Sequence, residues 1–165
     1  MPSIRIIVLI PFMLFLSSAN GQIDTLREID KIIPLQLVKS LINSNVDNLN
    51  LFCIDDTRVV CERGELYNHE VITIKGGSYV VFVELTEKLY NKKTVWRFYL
   101  QFKDPKNDEL FLSLLPPYLG YHLNDGIYYG GFMQTIGMKE LYDTGREMIE
   151  VWLYYPPLDL DKLKK

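Results

Sequence analysis

The chain has 165 residues, with 18 Lys and Arg against 21 Asp and Glu and a formal net charge of −3. This balance, without a dense Lys/Arg cluster, argues against nucleic acid and anionic membranes as partners. The two Cys and two His residues lack the paired spacing of a structural zinc site, and no glycine-rich phosphate loop or Asp-rich calcium loop is present. The sequence therefore predicts neither a metal nor a cofactor.

The amino end has the composition of a secretory signal peptide. One positive charge, Arg5, precedes an apolar run over residues 6–16, and small residues including Ala19 and Gly21 follow. A bilayer span needs about 20 apolar residues, so this run is too short to be a membrane anchor of ordinary length. We predict cleavage after Gly21, secretion and no membrane span. A short anchor or a buried helix is the alternative.

Removal of residues 1–21 leaves one domain, residues 22–165. Apolar residues recur at helical spacing in residues 22–46, which predicts one kinked or two short amphipathic helices around Pro34. The next segment, residues 49–155, is rich in β-branched and aromatic residues, and residues 156–165 form a tail.

Residues 49–155 predict a mainly β body of about eight strands. Turn signals recur every 8 to 15 residues, the pattern of an antiparallel sandwich or barrel. Residues 109–114 are predicted to be one of these strands. In TVWRFYLQF, the two-residue period of a half-buried strand places four apolar side chains on one face: Trp96, Phe98, Leu100 and Phe102.

Both cysteines lie in CIDDTRVVC, at positions 53 and 61. In an oxidising compartment, two cysteines in a small secreted domain are most simply one disulfide. Alternation of Leu49, Leu51 and Cys53, with a polar stretch before Val59, predicts a β-hairpin in which Cys53 faces Cys61. Free buried thiols and a reactive or metal-binding pair are the alternatives.

Residues 116–134, PPYLGYHLNDGIYYGGFMQ, are unusually rich in tyrosine and glycine. Tyrosine offers a large, stiff contact surface at modest entropy cost, and glycine allows adaptable loops, as in many recognition surfaces. We predict that an extracellular protein or surface binds here, through five aromatic side chains: Tyr118, Tyr121, Tyr128, Tyr129 and Phe132. Arg97, Tyr99 and Tyr155 are candidates to extend this surface from neighbouring strands. The alternative is that the tyrosines are ordinary strand residues around an Asn-Asp-Gly turn.

Two other functions stay open on the sequence alone. A small apolar ligand is possible if the strands close around an apolar cavity, which predicts an extracellular lipid or small-molecule carrier. A small secreted hydrolase could use His122 with Asp125. It could also use two carboxylates drawn from Glu84, Glu147 and Glu150. Because no G-x-S-x-G motif accompanies these residues, the sequence favours a non-catalytic binding protein and assigns no catalytic residue.

Overall fold

The structure of the protein, a computed structural model, describes residues 9–66, 69–89, 92–130, 134–141 and 145–153. The helices of this part of the chain are α1 (Leu9–Ile32), α2 (Leu35–Ile42), α3 (Val46–Asp55) and α4 (Lys106–Tyr118). The strands are β1 (Val60–Leu66), β2 (His69–Lys75), β3 (Tyr79–Leu89), β4 (Lys92–Phe102), β5 (His122–Asn124), β6 (Ile127–Gly130), β7 (Gln134–Leu141) and β8 (Arg146–Leu153). The prediction of a mainly β body with about eight strands is confirmed. The predicted tail, residues 156–165, lies outside the described residues.

All eight strands belong to one antiparallel sheet, in the order β1-β2-β3-β4-β8-β7-β6-β5. Two four-stranded meanders meet along β4 and β8, where the paired residues run from Arg97↔Trp152 to Leu100↔Ile149. The predicted barrel is wrong, because β1 and β5 lie at opposite edges and β5, with three residues, is too short to close the sheet on β1. No second sheet faces this one among the described residues, and helices stand where a sandwich would have its second layer.

The helices cover one side of the sheet, which we call the core face. Strand residues at alternate positions, such as Phe98, Leu100 and Val151, are almost fully buried there. They form one cluster with helical side chains that include Leu49 and Phe111. Since successive strand residues point to opposite faces, the residues between them lie on the other side of the sheet.

The first helices extend well beyond the predicted helical segment. Helix α1 runs through Gly21, the predicted cleavage position, and α2 begins after Pro34, where the Leu35 N–H donates to Asp30 Oδ1 at 2.8 Å. No helix of the described ranges carries an apolar stretch long enough to cross a bilayer.

Helix α3 replaces the strand that was predicted to enter the cysteine hairpin. The Asn45 side chain accepts a hydrogen bond from the Asn48 N–H at 2.9 Å and caps the amino end of the helix. Leu49 and Phe52, three positions apart, are buried, whereas Leu51 is 54% exposed. The burial therefore follows a helical period, and the alternation taken from the sequence is wrong here.

Cys53 and Cys61 form the predicted disulfide, with 5.8 Å between their Cα atoms. It joins the last turn of α3 to the start of β1, so the bond is confirmed although the surrounding hairpin is not. Because both cysteines are bonded, the alternatives of free thiols and a cysteine-bound metal no longer apply.

Helix α4 contains residues 109–114, which were predicted to be a strand. The Asp104 carboxylate accepts the Lys106 N–H at 3.1 Å at the start of the helix. Phe111 and Leu115, four positions apart, are buried in the core. The helix carries the chain across the core face from the end of β4 to the far edge of the sheet, where β5 begins.

A bulge in β4 changes the face of one predicted core residue. Glu84 pairs with Arg97 but Leu85 pairs with Val95, so Trp96 is an extra residue in β4. Val95 and Phe98 are both buried in the core, and Trp96 contacts Arg97 and Trp152 instead. The prediction that Trp96 shares a face with Phe98 is wrong for this reason.

Candidate functional site

The Tyr/Gly-rich segment folds into a hairpin at one edge of the sheet. Strands β5 and β6 pair from His122↔Tyr129 to Asn124↔Ile127. The two residues between them, Asp125 and Gly126, have φ values of 50° and 77°. Two positive φ values in a two-residue loop are typical of the turn that suits the twist of a hairpin. The predicted turn is therefore present.

Two of the predicted binding tyrosines help to build the fold. Tyr121 is only 8% exposed and belongs to the core cluster. Its ring lies against the backbone of Gly130, where a Cβ atom would overlap the ring atoms. Tyr128 is half-buried and packs against the same cluster. Tyr121 and Tyr128 therefore both contribute to the packing of the core.

The other predicted binding residues are separated in space or lie outside the described part. Tyr118, 37% exposed, is the last residue of α4. Tyr129 is 43% exposed, and Ile127, on the same face of β6, is 38% exposed. Phe132 and Tyr155 lie outside the described residues. Tyr129 and Ile127 are thus the exposed apolar side chains that this hairpin contributes to the side of the sheet opposite the core face.

We call that side the outer face, and two rows of paired residues define it. The first row is Tyr129, Thr135, Trp152, Arg97 and Glu84. The second row is Ile127, Gly137, Glu150, Tyr99 and Phe82. The expectation that Arg97 and Tyr99 share a surface with the Tyr/Gly segment thus agrees with the strand register.

Arg97 is the centre of the outer face. Its guanidinium donates to Glu84 Oε2 from Nη2 at 2.6 Å and from Nε at 3.0 Å. The same group lies 4.5 Å from the ring centroids of both Trp96 and Trp152, and 5.1 Å from that of Tyr99. Contacts of a guanidinium with ring faces at these distances are attractive, about 0.5–2 kcal/mol each. The Arg97 side chain is 18% exposed, so the cluster is largely shielded from water.

Glu150 is the second buried carboxylate of this cluster. Its Oε1 lies 3.6 Å from Arg97 Nη1, and its Oε2 lies 3.6 Å from Lys139 Nζ. Burial raises the pKa of Tyr99 well above its ordinary value, and the negative charge of Glu150 raises it further. Tyr99 therefore keeps its proton at neutral pH, and the charges of the cluster come from two carboxylates, one guanidinium and one ammonium.

Two of the three carboxylates considered for a hydrolase share a face of the sheet. Ile149 and Val151 lie on the core face, so Glu150 lies on the outer face and Glu147 on the opposite one. Glu84 and Glu150 do share a face, but Arg97 forms ion pairs with both.

His122 is exposed on the edge strand β5. Within the part of the chain that the structure describes, we find no hydrogen bond or ion pair between His122 and Asp125. Nor do those residues contain three His, Cys, Asp or Glu side chains grouped to hold a metal ion.

Two clefts of similar size lie beside helices α2 and α3. One of about 490 Å³ lies where the α2–α3 connection meets Arg63 and Lys93, and three asparagines contribute to its lining: Asn43, Asn45 and Asn50. A second, of about 500 Å³, runs between α2 and α3, and Gln36, Lys39 and Asn48 are among the residues that line it. Since the sheet is open, the barrel that the carrier hypothesis required is not formed.

The outer-face cluster was only partly foreseen from the sequence. Glu150 and Trp152 alternate with the apolar Ile149 and Val151, which indicates a strand whose side chains lie on two different faces of a sheet. Their meeting with Arg97 depends on the pairing of β4 with β8, which no local pattern encodes. No protein-family model, curated protein or solved structure matches the chain.

Proposed function

We propose that the protein is a secreted, non-catalytic β-rich protein that binds another protein or an extracellular surface through the outer face of its sheet. The observation that carries this proposal is the position of Tyr129 and Ile127. Both are exposed, and both continue a face that already holds two tryptophans and an arginine. Aromatic residues and arginine are enriched at interface cores, where they dominate the binding energy.

Secretion is part of the same proposal. The sequence of residues 1–21 has the composition of a cleaved leader, and the Cys53–Cys61 disulfide is a bond that persists in oxidising compartments. The chain expressed with its own leader should therefore collect in the culture medium, beginning at Gln22. Retention inside the cell with Met1 intact would contradict this half of the proposal.

The binding surface is tested by Tyr129→Ser with Tyr118→Ser as its matched control. The two tyrosines are similarly exposed, but only Tyr129 lies on the outer face. Neither side chain is in the core, so both variants should unfold within about 1–2 °C of the wild type. We expect Tyr129→Ser to lose capture of extracellular partners by the immobilised protein, and Tyr118→Ser to retain it.

Equal capture by both variants would place the binding site elsewhere. If both variants lose capture of the partner, the loss is not specific to the outer face, and the outer face is rejected as the binding surface. Tyr128→Ser is unsuitable for this test, because Tyr128 packs on the core and its loss would destabilise the hairpin.

A further inference from the structure

Strand β1 forms an exposed edge of the sheet. The sheet order ends at β1, and all of its residues except Cys61 are exposed. Its pairing with β2 is regular from Val60↔Lys75 to Leu66↔His69, without a bulge, and its sequence VCERGEL contains no proline. Bulges and prolines are two usual devices that keep an edge strand from pairing with another chain. Because β1 has neither, its free edge is open to a further strand.

The backbone groups of Arg63 and Glu65 point to this free edge. At the turn between β2 and β3, the Gly76 N–H donates to the first residue of β3 at 2.9 Å. Since backbone groups alternate in direction along a strand, the odd-numbered residues of β2, including Val71, form their hydrogen bonds with β1 instead. Val71 pairs with Gly64, so Gly64 directs its N–H and C=O to β2. The residues on either side of Gly64 therefore direct theirs away from the sheet.

The side chains of Arg63 and Glu65 carry opposite charges on one face of β1. Glu65 pairs with Glu70 of β2, and like charges directly opposite each other are destabilising. Arg63 and Lys93 both form ion pairs with Glu70, whereas Glu65 forms no ion pair or hydrogen bond with any described residue. Glu65 is thus an exposed carboxylate beside another carboxylate, and a cation can approach it from the free edge.

We propose that β1 pairs with β1 of a second copy of this chain, antiparallel and with Gly64 opposite Gly64, so that the two sheets become one. In this register Arg63 lies directly opposite Glu65 of the second copy, and the two-fold symmetry repeats the pair. Because the backbone groups of both residues point to the free edge, each residue of a pair donates one backbone hydrogen bond and accepts another. The Arg63 side chain donates to Glu70 and Asn50 and keeps further N–H groups for Glu65 of the second copy.

Charge selects the register centred on Gly64. Charged side chains on an edge strand normally prevent pairing, so a partner strand must place opposite charges against them. The symmetric registers on either side would place Arg63 opposite Arg63, or Glu65 opposite Glu65. Glycine inside a strand also marks positions where another backbone approaches closely. Gly64 has neither a bulge nor a positive φ to account for it, and a Cβ there would meet nothing within 4 Å in its own chain.

The dimer would present the outer faces of both copies on the same side, because the two-fold axis passes through the Gly64 pair perpendicular to the sheet. Gly64 pairs with Val71 and Val71 pairs with Glu84, so Gly64 lies on the outer face. The inference does not depend on the proposed function. If both hold, one extracellular surface is bound at two points, which raises the overall affinity without any new contact.

Sedimentation equilibrium of the purified full-length protein over a range of concentrations measures the dimer. Glu65→Lys replaces attraction by repulsion across the axis and should raise the dissociation constant at least about tenfold. The monomer should not become less stable in urea, because the same change removes the repulsion between Glu65 and Glu70. The matched control is Glu147→Lys in β8, which makes the same charge change at an exposed strand residue that also pairs with a glutamate, Glu140. It should leave the dissociation constant unchanged.

Cysteine cross-linking tests the register. Cysteines introduced by Gly64→Cys would face each other across the axis with their Cβ atoms about 4.5–5.5 Å apart, a distance that a disulfide bridges. Glu62→Cys is the matched control, because position 62 is also exposed and lies on the same face of β1. Two cysteines at position 62 would lie roughly 13 Å apart along the paired strands, too far for a disulfide. After mild oxidation, we expect non-reducing electrophoresis to show a covalent dimer for Gly64→Cys and a monomer for Glu62→Cys.

Three results would overturn the inference. The first is a wild-type protein that stays monomeric at every concentration. The second is a dimer that Glu65→Lys leaves intact, or that Glu65→Lys and Glu147→Lys weaken equally. The third is equal cross-linking at positions 62 and 64, which would show random collision in place of the proposed register.

Discussion

Replacing Gly130 with alanine tests whether the glycines of the hairpin serve packing. The Tyr121 ring lies against the Gly130 backbone, and a Cβ at this position would overlap its Cδ1, Cε1 and Cζ atoms. The ring is 8% exposed and is part of the core cluster, so it has little room to withdraw. One added methyl group must therefore displace a buried aromatic side chain.

The cost follows from overpacking. Forcing an additional carbon into a well-packed core typically costs about 1–3 kcal/mol. Replacing a strand glycine by alanine otherwise stabilises a protein by about 0.5–1 kcal/mol. We expect Gly130→Ala to lower the free energy of unfolding by about 1–2 kcal/mol, which for a domain of this size is a fall in Tm of about 2–8 °C.

Urea and thermal unfolding followed by circular dichroism would measure the change. Gly64→Ala is the matched control, since Gly64 also lies in a strand but has open space around it, and it should be neutral or stabilising. In a Tyr121→Leu background, Gly130→Ala should lose most of its cost because the overlapping ring atoms are gone. If Gly130→Ala is as stable as Gly64→Ala, the assigned contact between ring and backbone is refuted.

Three further predictions concern stability. Arg97→Met leaves the buried Glu84 unpaired and should lower the free energy of unfolding in urea by about 3–5 kcal/mol. Adding Glu84→Gln to this variant should restore most of the loss. If the effects of the two substitutions simply add, the ion pair is contradicted. Replacing Cys53 and Cys61 by serine should lower the free energy of unfolding by about 2–3 kcal/mol. A peptide cross-linked through these cysteines should be found only in the wild type. An unchanged urea midpoint would argue against the bond. Hydrogen bonds from the Arg58 side chain and then its backbone N–H hold the pKa of Asp56 at about 2, below its ordinary 3.8. This stabilisation is present above pH 3.8 and is lost as the pH falls through the folded pKa of about 2. Asp56→Asn should therefore be less stable than the wild type at neutral pH and approach it in stability only below pH 2; a difference that stays constant with pH would refute the shift.

The strands and turns were largely predictable because their signals are local. The Asp125–Gly126 turn follows from two adjacent residues, and the alternation in β4 gave the correct faces for Phe98, Leu100 and Arg97. Trp96 was misplaced because a bulge adds a residue without any change in composition. Local patterns thus predict faces correctly only between such irregularities.

Helices α3 and α4 were missed because a short apolar run fits both the two-residue period of a strand and the 3.6-residue period of a helix. Leu49 and Leu51 alternate as in a strand, but Leu49 and Phe52 also fit a helix, and the capping side chain of Asn45 favours the helix. In α4, residues 109–114 were predicted to be a strand, although Phe111 and Leu115 have helical spacing. Tertiary packing decided between the two periods in each case.

The candidate site depended on pairing that no segment of sequence reveals. Arg97 and Glu150 are far apart in the chain and meet because β4 pairs with β8. The composition of the Tyr/Gly segment did not separate the exposed Tyr129 from the buried Tyr121. Tyr121 is buried because its ring lies against the backbone of Gly130 in β6, and this contact depends on how the chain folds rather than on local composition.

The central place of β8 has a consequence for biosynthesis. Of the described strands β8 comes last in the chain, yet it pairs with β4 and so joins the two meanders. While a ribosome is still translating the residues before Arg146, β4 has an unpaired hydrogen-bonding edge beside an apolar face, the kind of strand that recruits other nascent chains. Messages truncated upstream of β8 should therefore yield products that depend on chaperones or precipitate, whereas the complete polypeptide closes this edge itself.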